Sequence, residues 1–281
     1  MKTIRDISAL RDAVTGWRQD GESVALVPTM GNLHRGHMSL IALAHEHAER
    51  VVVSLFVNPA QFGPGEDFDG YPRSLDLDRR RLSRAGVDVL FAPDSAAIYP
   101  FGEVSMTRVS VPELSGILCG AARPGHFDGV TSVVCRLFNL IQPDVAVFGQ
   151  KDYQQLVIIR RMVADLHIPV QVIAGQTRRE KDGLALSSRN QYLSEAERQR
   201  APELHRALDR CRQLLADGAR DFERLETEGR RALQGAGFEP DYFAIRRAWD
   251  LGSPEEADSR RLVVMAAGTL GRARLIDNLL V

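Results

Sequence analysis

Short apolar runs alternate with stretches of helical period up to Gln176, and this alternation restricts the possible folds more tightly than any other feature. The runs cover residues 24–27, 51–57, 87–91, 144–148 and 169–174. Between them lie segments such as 152–167, where Leu156, Ile159, Val163 and Leu166 fall on one helical stripe. Continuous apolar strands joined by helices predict a parallel sheet covered on both faces, with right-handed crossovers. Beyond Gln176 the pattern changes to charged helices at 195–216 and 221–234, then short strands near 241–245, 261–266 and 273–276. The expectation is an α/β protein: a parallel-sheet domain over 1–176 and a smaller α+β domain over 177–281. A chain of 281 residues has room for both, because single cores rarely grow past roughly 250 residues.

Polar clusters follow three of the predicted strands. The first is PTMGNLHRGH, residues 28–37, between the run 24–27 and a helix-like stretch at 38–50. A strand that feeds a Gly-containing turn and then a helix start points backbone N–H groups and the positive helix end at one small volume, which suits an anion. His34 and His37 are three apart there, so both imidazoles can share one face and aim at the same group. The second cluster, Asn58-Pro59-Ala60-Gln61-Phe62, follows 51–57, and the third, Gly149-Gln150-Lys151-Asp152, follows 144–148. In an open parallel sheet all three meet at the carboxyl edge, where ligands bind at the topological switch point. A fourth cluster, DGLALSSRN at 182–190, offers two hydroxyls and a permanently charged guanidinium, the groups that clamp phosphate.

Composition excludes several functions. A net charge of −1 gives no electrostatic footprint for nucleic acid or an anionic membrane, so the expected partners are small molecules. Cys119, Cys135 and Cys211 are far apart and odd in number, which argues for reduced thiols in a cytoplasmic protein. The N-terminal residues MKTIRDISAL lack a signal-length apolar core, and no run approaches the roughly 18 apolar residues of a membrane span.

The His34-Arg35-Gly36-His37 tetrad resembles the HxGH signature of nucleotidylyltransferases and class I aminoacyl-tRNA synthetases. A longer set of blocks resembles the pantothenate synthetase (pantoate–β-alanine ligase) family: PTMGNLHRGH, VVVSLFVNPAQF, YPRS, RPGHFDGV, LFNLIQPDVAVFGQKDYQQL, DGLALSSRNQYL and ARLIDN, spread from residue 28 to residue 278, so that the resemblance covers almost the whole chain. The resemblance implies a Rossmann-like N-terminal domain that holds the active site, an α+β C-terminal lid domain and a homodimer. It also implies a two-step reaction, in which pantoate attacks the α-phosphorus of Mg-ATP to give pantoyl adenylate and pyrophosphate, and β-alanine then displaces AMP.

By that resemblance Met30, Gly31, Asn32, Leu33, His34, Arg35, Gly36 and His37 contact ATP. So do Gly149, Gln150, Lys151, Asp152, Arg178, Leu186, Ser187, Ser188 and Arg189. His34, His37, Lys151, Ser187, Ser188 and Arg189 are the catalytic set, and His37 is the proton donor. Gln61 corresponds to a residue that holds pantoate and borders β-alanine, and Gln155 to one that holds pantoate. Arg123 and His126 are further candidates. Mg²⁺ is expected to ride on the ATP phosphates, and no protein ligand is assigned to it, although Asp78 is a possible neighbour.

Plainer readings stand beside these. His34 and His37 could cap a helix, or ligate a metal with His45 and His47, but no nearby acid or Cys completes a ligand set. Otherwise His45 and His47 are a solvated helix face. Arg79-Arg80-Arg81 reads as another helix face, and Arg178-Arg179 borders the nucleotide or the domain hinge. Other acid-activating ligases or nucleotidylyltransferases of this fold, and a non-catalytic nucleotide-binding module, are the alternative functions. Three positions depart from the family's pattern: Ala60 for Met, which loosens the apolar wall expected around pantoate, Gln150 for Glu, and Arg178 for an apolar residue.

Overall fold

The computed structural model describes residues 1–255, 258 and 261–281. Its larger sheet has six parallel strands: β1 (Lys2–Ile4), β2 (Val24–Thr29), β3 (Arg50–Leu55), β4 (Val89–Phe91), β5 (Val145–Gly149) and β6 (Gln171–Gly175). Their spatial order is β1-β4-β3-β2-β5-β6. The chain therefore runs from β2 outward through β3 and β4, then returns to the other side of β2 for β5 and β6. That is the Rossmann order with one extra edge strand, and its switch point lies between β2 and β5. The five runs predicted from the sequence are all strands of this sheet, with ends shifted by a few residues. Strand β1 was not predicted, because three residues with one apolar side chain buried in part carry no periodic signal.

Helices α1 (Ile7–Gln19), α2 (Arg35–His45), α3 (Leu75–Arg84), α7 (His126–Ile141) and α8 (Tyr153–Asp165) flank this sheet, with three single-turn helices, α4 (Ser95–Ile98), α5 (Pro112–Ser115) and α6 (Cys119–Ala122), between α3 and α7. Helix α2 starts three residues earlier than the apolar pattern suggested, because His34 caps it, and it ends at His45. His47 thus lies outside the helix, while His45 Nε2 meets the Ala85 carbonyl at 3.0 Å. The stripe on α8 is buried at Leu156 and Ile159, but Leu166 lies past the helix end and is 51% exposed.

The C-terminal part packs α9 (Glu195–Arg200), α10 (Glu203–Ala216) and α11 (Phe222–Gly235) against an antiparallel sheet of β7 (Glu239–Arg247), β8 (Leu262–Leu270) and β9 (Ala273–Leu280). The single helix expected over 195–216 is two helices. Pro202 has no N–H to continue the ladder, and a Ser194/Glu197 capping box starts the first piece. Strand β8 is buried on both faces. Leu262, Val264 and Ala266 pack toward α10 and α11, whereas Val263, Met265 and Ala267 join the core that contains α7, α8 and one face of the large sheet. Each larger aliphatic side chain so buried contributes about 1.5–3 kcal/mol, so the smaller sheet is fastened to the larger body by apolar contact. Among the described residues no helix is long and apolar enough to cross a membrane.

Candidate active site

The turn after β2 is braced from beneath. Asp78, fully buried on α3, accepts from Asn32 N at 2.8 Å, Leu33 N at 2.9 Å and Ser74 Oγ at 3.0 Å, and Gly31 N reaches Thr29 Oγ1 at 3.3 Å. Gly31 and Asn32 adopt positive φ, which lets the chain turn this sharply. The expectation that these turn amides face an anion is corrected: they are spent on Asp78 and Thr29. Asp78 is correspondingly unavailable as a Mg²⁺ neighbour. Arg81 also departs from the plain helix face formed by Arg79 and Arg80, since its guanidinium donates to the Leu33 carbonyl.

What the turn offers to a ligand is the pair of imidazoles. His34 Nδ1 accepts from Gly36 N, and His37 Nδ1 accepts from His34 N, each at 3.2 Å. The capping role and the functional role therefore coincide. An Nδ1 that accepts fixes the proton of the neutral ring on Nε2. Burial, with Lys151 adding to it, lowers the His34 pKa to about 4, and burial, with His34 and Lys151 nearby, lowers that of His37 to about 3. At neutral pH both rings are uncharged N–H donors, with centroids 4.1 Å apart.

Two cavities adjoin at this edge. The first, of about 230 Å³, is lined by Met30, His34, Gly36 and His37 from the turn, by Gly149 at the end of β5 and by Lys151 and Asp152 just after it. Its far side is Arg178 and the run Leu186 to Arg189, and its apolar wall is Val130, Val133, Val134 and Leu137 of α7. The second, of about 430 Å³, extends toward β7 and β9 and includes Arg123, His126, Arg272 and Arg274. Met30, Gln61, Lys151, Asp152, Gln155, Ser187 and Arg189 line both. Gly31, Asn32, Leu33, Arg35 and Gln150 line neither of the two: Leu33 is 1% exposed in the core, and Arg35 points out to Glu180 at 2.8 Å. Ala60 also lines neither, so the aliphatic wall is supplied by α7.

Gln61 sits on a short 3-10 turn (Pro59–Gln61) fixed by a buried amide. Asn58 Oδ1 accepts from Tyr99 at 2.6 Å and from Ala60 N at 3.3 Å, while its Nδ2 donates to Gln61 Oε1 and to Gly129 O, both at 3.1 Å. Gly129 is where α7 crosses this turn, and a Cβ there would stand 2.2 Å from the Ala60 carbonyl oxygen. The Gln61 carbonyl accepts from His126 Nδ1 at 2.7 Å, and His126 Nε2 accepts from Arg123 Nη1 at 3.0 Å. Burial, then Arg123, lowers the His126 pKa to about 4. Glu66 holds Arg123 through two bonds of 2.7 and 2.5 Å.

The segment after β6 closes the first cavity. Ser187 Oγ caps its own turn at Arg189 N (3.3 Å), Ser188 Oγ reaches Asn32 O at 3.4 Å, and Arg189 pairs with Asp67 at 3.0 Å. Of the two adjacent arginines, Arg178 borders the first cavity and Arg179 turns away to Asp277. The sequence carries no signal for the roles of Asn58, Glu66, Asp67 and the Asp277-Asn278 pair, or of Tyr71, which lines the first cavity. YPRS and ARLIDN stood out as blocks, but a block does not say which of its side chains points inward. Among the described residues no group of three or more His, Cys, Asp or Glu converges as a metal site.

A Rossmann-ordered sheet with paired, neutral imidazole donors at its switch point and cations facing them defines a nucleotide-binding α/β protein. A sequence model of pantoate-beta-alanine ligase matches residues 2–280, and the chain belongs to that family. A pantothenate synthetase from Nitrosococcus oceani is 57% identical over 279 residues, covering 99% of this chain and 97% of the relative. The crystal structure of pantothenate synthetase from Thermus thermophilus superposes with a TM-score of 0.91 at 47% identity, covering 99% of each chain. A Francisella tularensis pantoate-beta-alanine ligase, crystallised with beta-gamma ATP and beta-alanine, superposes at 0.82 with 32% identity, covering 100% of this chain and 97% of that one.

Proposed function

We propose that the chain condenses pantoate with β-alanine at the expense of ATP, through pantoyl adenylate, with the two adjoining cavities as its reaction vessel. The observation that carries this reading is the wall they share: Gln61, Lys151 and Gln155 line both, between the imidazoles of the first cavity and the cations of the second. ATP occupies the first cavity with its α-phosphate toward His34, His37 and Lys151. The pantoate carboxylate attacks phosphorus, pyrophosphate leaves, and the amine of β-alanine then attacks the acyl carbonyl and releases AMP. Displacement at phosphorus needs positioning and stabilisation of developing charge more than covalent help. The two Nε2–H donors stabilise that charge by hydrogen bonding, so His37 acts as a neutral donor and not as the proton donor that the resemblance implies, while Lys151 and Arg189 supply the positive charge. Gln61 and Gln155 suit pantoate because a carboxamide both donates and accepts, matching a hydroxy acid. The α7 wall of the first cavity faces the apolar part of that substrate, which shares the cavity with the ATP phosphates.

Mg²⁺ fits this donor set as the counter-ion of the ATP phosphates, since it commonly keeps several waters and needs only one or two carboxylates. Asp152, whose side chain is 45% exposed at the shared wall, is the carboxylate we assign to it. The domain boundary is placed between residues 176 and 177, with the C-terminal part acting as a lid. A homodimer is placed on the N-terminal half, where Phe101 and Val104 are 85% and 89% exposed. A reducing, cytoplasmic setting agrees with three unpaired cysteines.

The test is isotope exchange. With Mg-ATP, pantoate and labelled pyrophosphate but no β-alanine, label should enter ATP, while other hydroxy acids support little exchange. Absence of pantoate-dependent exchange in a folded, ATP-binding preparation would reject the adenylate route and leave a nucleotide-binding module as the better reading.

A further inference from the structure

The Asp277-Asn278 pair on β9 takes no part in the chemistry above, yet it grips the loop that carries Lys151. Asn278 is 2% exposed, and its Nδ2 donates to two successive backbone carbonyls, Gln150 O at 2.9 Å and Lys151 O at 2.8 Å. The Asn278 backbone N–H is held at 2.8 Å by Asp277 Oδ1. Asp277 in turn receives both guanidinium arms of Arg179, at 2.5 and 2.9 Å. Arg179 directly follows Arg178, whose carbonyl accepts from Leu186 N at 2.9 Å at the head of the Ser187-Ser188-Arg189 run. One strand of the smaller sheet thus ties together the two segments that face each other across the first cavity.

We propose that Asn278 is a positioning residue for Lys151, setting the rotation of the 3-10 turn (Gln150–Asp152) and passing the placement of the C-terminal sheet to the lysine. The inference rests on the proposed role of Lys151. Two N–H donors on consecutive carbonyls fix a short turn against twisting, which a single bond does not. The carboxamide orientation follows from the same geometry, since a reversed amide would set oxygen against two carbonyl oxygens. Asn278 Oδ1 has no hydrogen-bond partner among the described residues, so the donor side is the part of the group that the fold uses. An aspartate is nearly isosteric but replaces both donors with a repelling oxygen. It therefore separates the effect of the donors from that of side-chain volume.

The experiment is a double-mutant cycle on pantoate-dependent pyrophosphate–ATP exchange, using the full chain with Mg-ATP and pantoate. Asn278→Asp should lower the exchange kcat by about tenfold or more, with the pantoate KM changed by less than about threefold; on Lys151→Met it should cost less than about twofold further, because the two residues act as a unit. Equal losses in both backgrounds, or no loss in the wild type, would overturn the proposal. A near-wild-type rate for Lys151→Met would instead reject the assignment of the lysine, so the two failures are distinguishable. If Asn278→Asp does not fold by thermal melt, Asn278→Ser, which keeps one donor of shorter reach, carries the same cycle. Its smaller loss should likewise vanish on Lys151→Met, and persistence there overturns the proposal.

Discussion

The turn from Met30 to His37 and the run from Leu186 to Arg189 face the same cavity but are held in different ways. The turn is held from behind, by a buried carboxylate that spans Asn32 N, Leu33 N and Ser74 Oγ and by two rings that cap their own helix. The run is held in part from in front: Arg189 pairs with Asp67, which lines the adjoining second cavity, while Ser188 reaches Asn32 O behind the lining and Leu186 N is held by the Arg178 carbonyl. A site braced from behind keeps its geometry whether or not a ligand is present. One braced from in front must exchange protein partners for ligand atoms. The first region is thus pre-organised, and the second is where binding and closure are coupled.

The strongest way to break this contrast is His37→Ala. It should lose about 10²-fold or more in turnover, the scale for one pre-organised donor, while the protein stays folded. A folded variant with near-wild-type turnover would remove the imidazoles from the mechanism. Asp78→Ala attacks the brace itself. It strands three donors in a buried place, so urea denaturation should show a loss of about 3 kcal/mol or more. A change below about 1 kcal/mol would mean the turn is held by something else.

Acid should weaken the pre-organised side through its buried rings. His34 and His37 are held at about 4 and about 3, below the ordinary value of 6.5, and His126, beside the second cavity, at about 4. Between those values the unfolded chain binds protons that the folded chain refuses, so the rings' contribution is fully present above pH 6.5 and is lost as pH falls toward 4. Each ring contributes on the order of 1 kcal/mol per pH unit across that window. Denaturant midpoints from about pH 4 to about pH 7.5 check the sign, and a flat profile would show that the rings are protonated in the folded state.

Two smaller effects sharpen the comparison. Gln61→Ala should raise the pantoate KM about tenfold with less change for ATP, and equal weakening of both would mean the site map is wrong. Asp67→Asn should change the ATP KM by only about threefold, downward, because a weakly shielded ion pair that ATP must replace has been relaxed. A large loss of affinity would show that Asp67 aims Arg189 rather than restrains it.

The parallel sheet was legible because β2, β3 and β5 are buried on both faces and read as nearly continuous apolar runs, whereas its Rossmann-like character came from the family resemblance. The strand-end clusters followed from the sheet, so His34, His37, Gln61, Lys151 and Gln155 could be brought to one edge without coordinates. What stayed illegible depends on the direction of side chains within loops. Leu33 and Arg35 flank His34 in one motif, yet one enters the core and the other pairs with Glu180 outside the cavity. Asp78 stood as a possible Mg²⁺ neighbour, and only its burial and its bonds to Asn32 N, Leu33 N and Ser74 Oγ show that it is consumed within the fold. The donors of Asn278 meet carbonyls about 130 positions earlier, an interaction with no local period to reveal it.

At Gly129 the absence of one carbon sets a dimension. Ordinary contact begins near 3.4 Å, whereas a methyl at this position would lie 2.2 Å from the Ala60 carbonyl. Any larger residue must therefore push the Pro59–Gln61 turn outward by about an ångström, beyond the roughly 0.5 Å within which productive geometry has to be held. Position 129 works as a gauge block between α7 and that turn. The distance from the carboxamide of Gln61 to the α7 wall is machined by an atom that is not there, so a change invisible to charge or hydrogen bonding would resize the substrate seat.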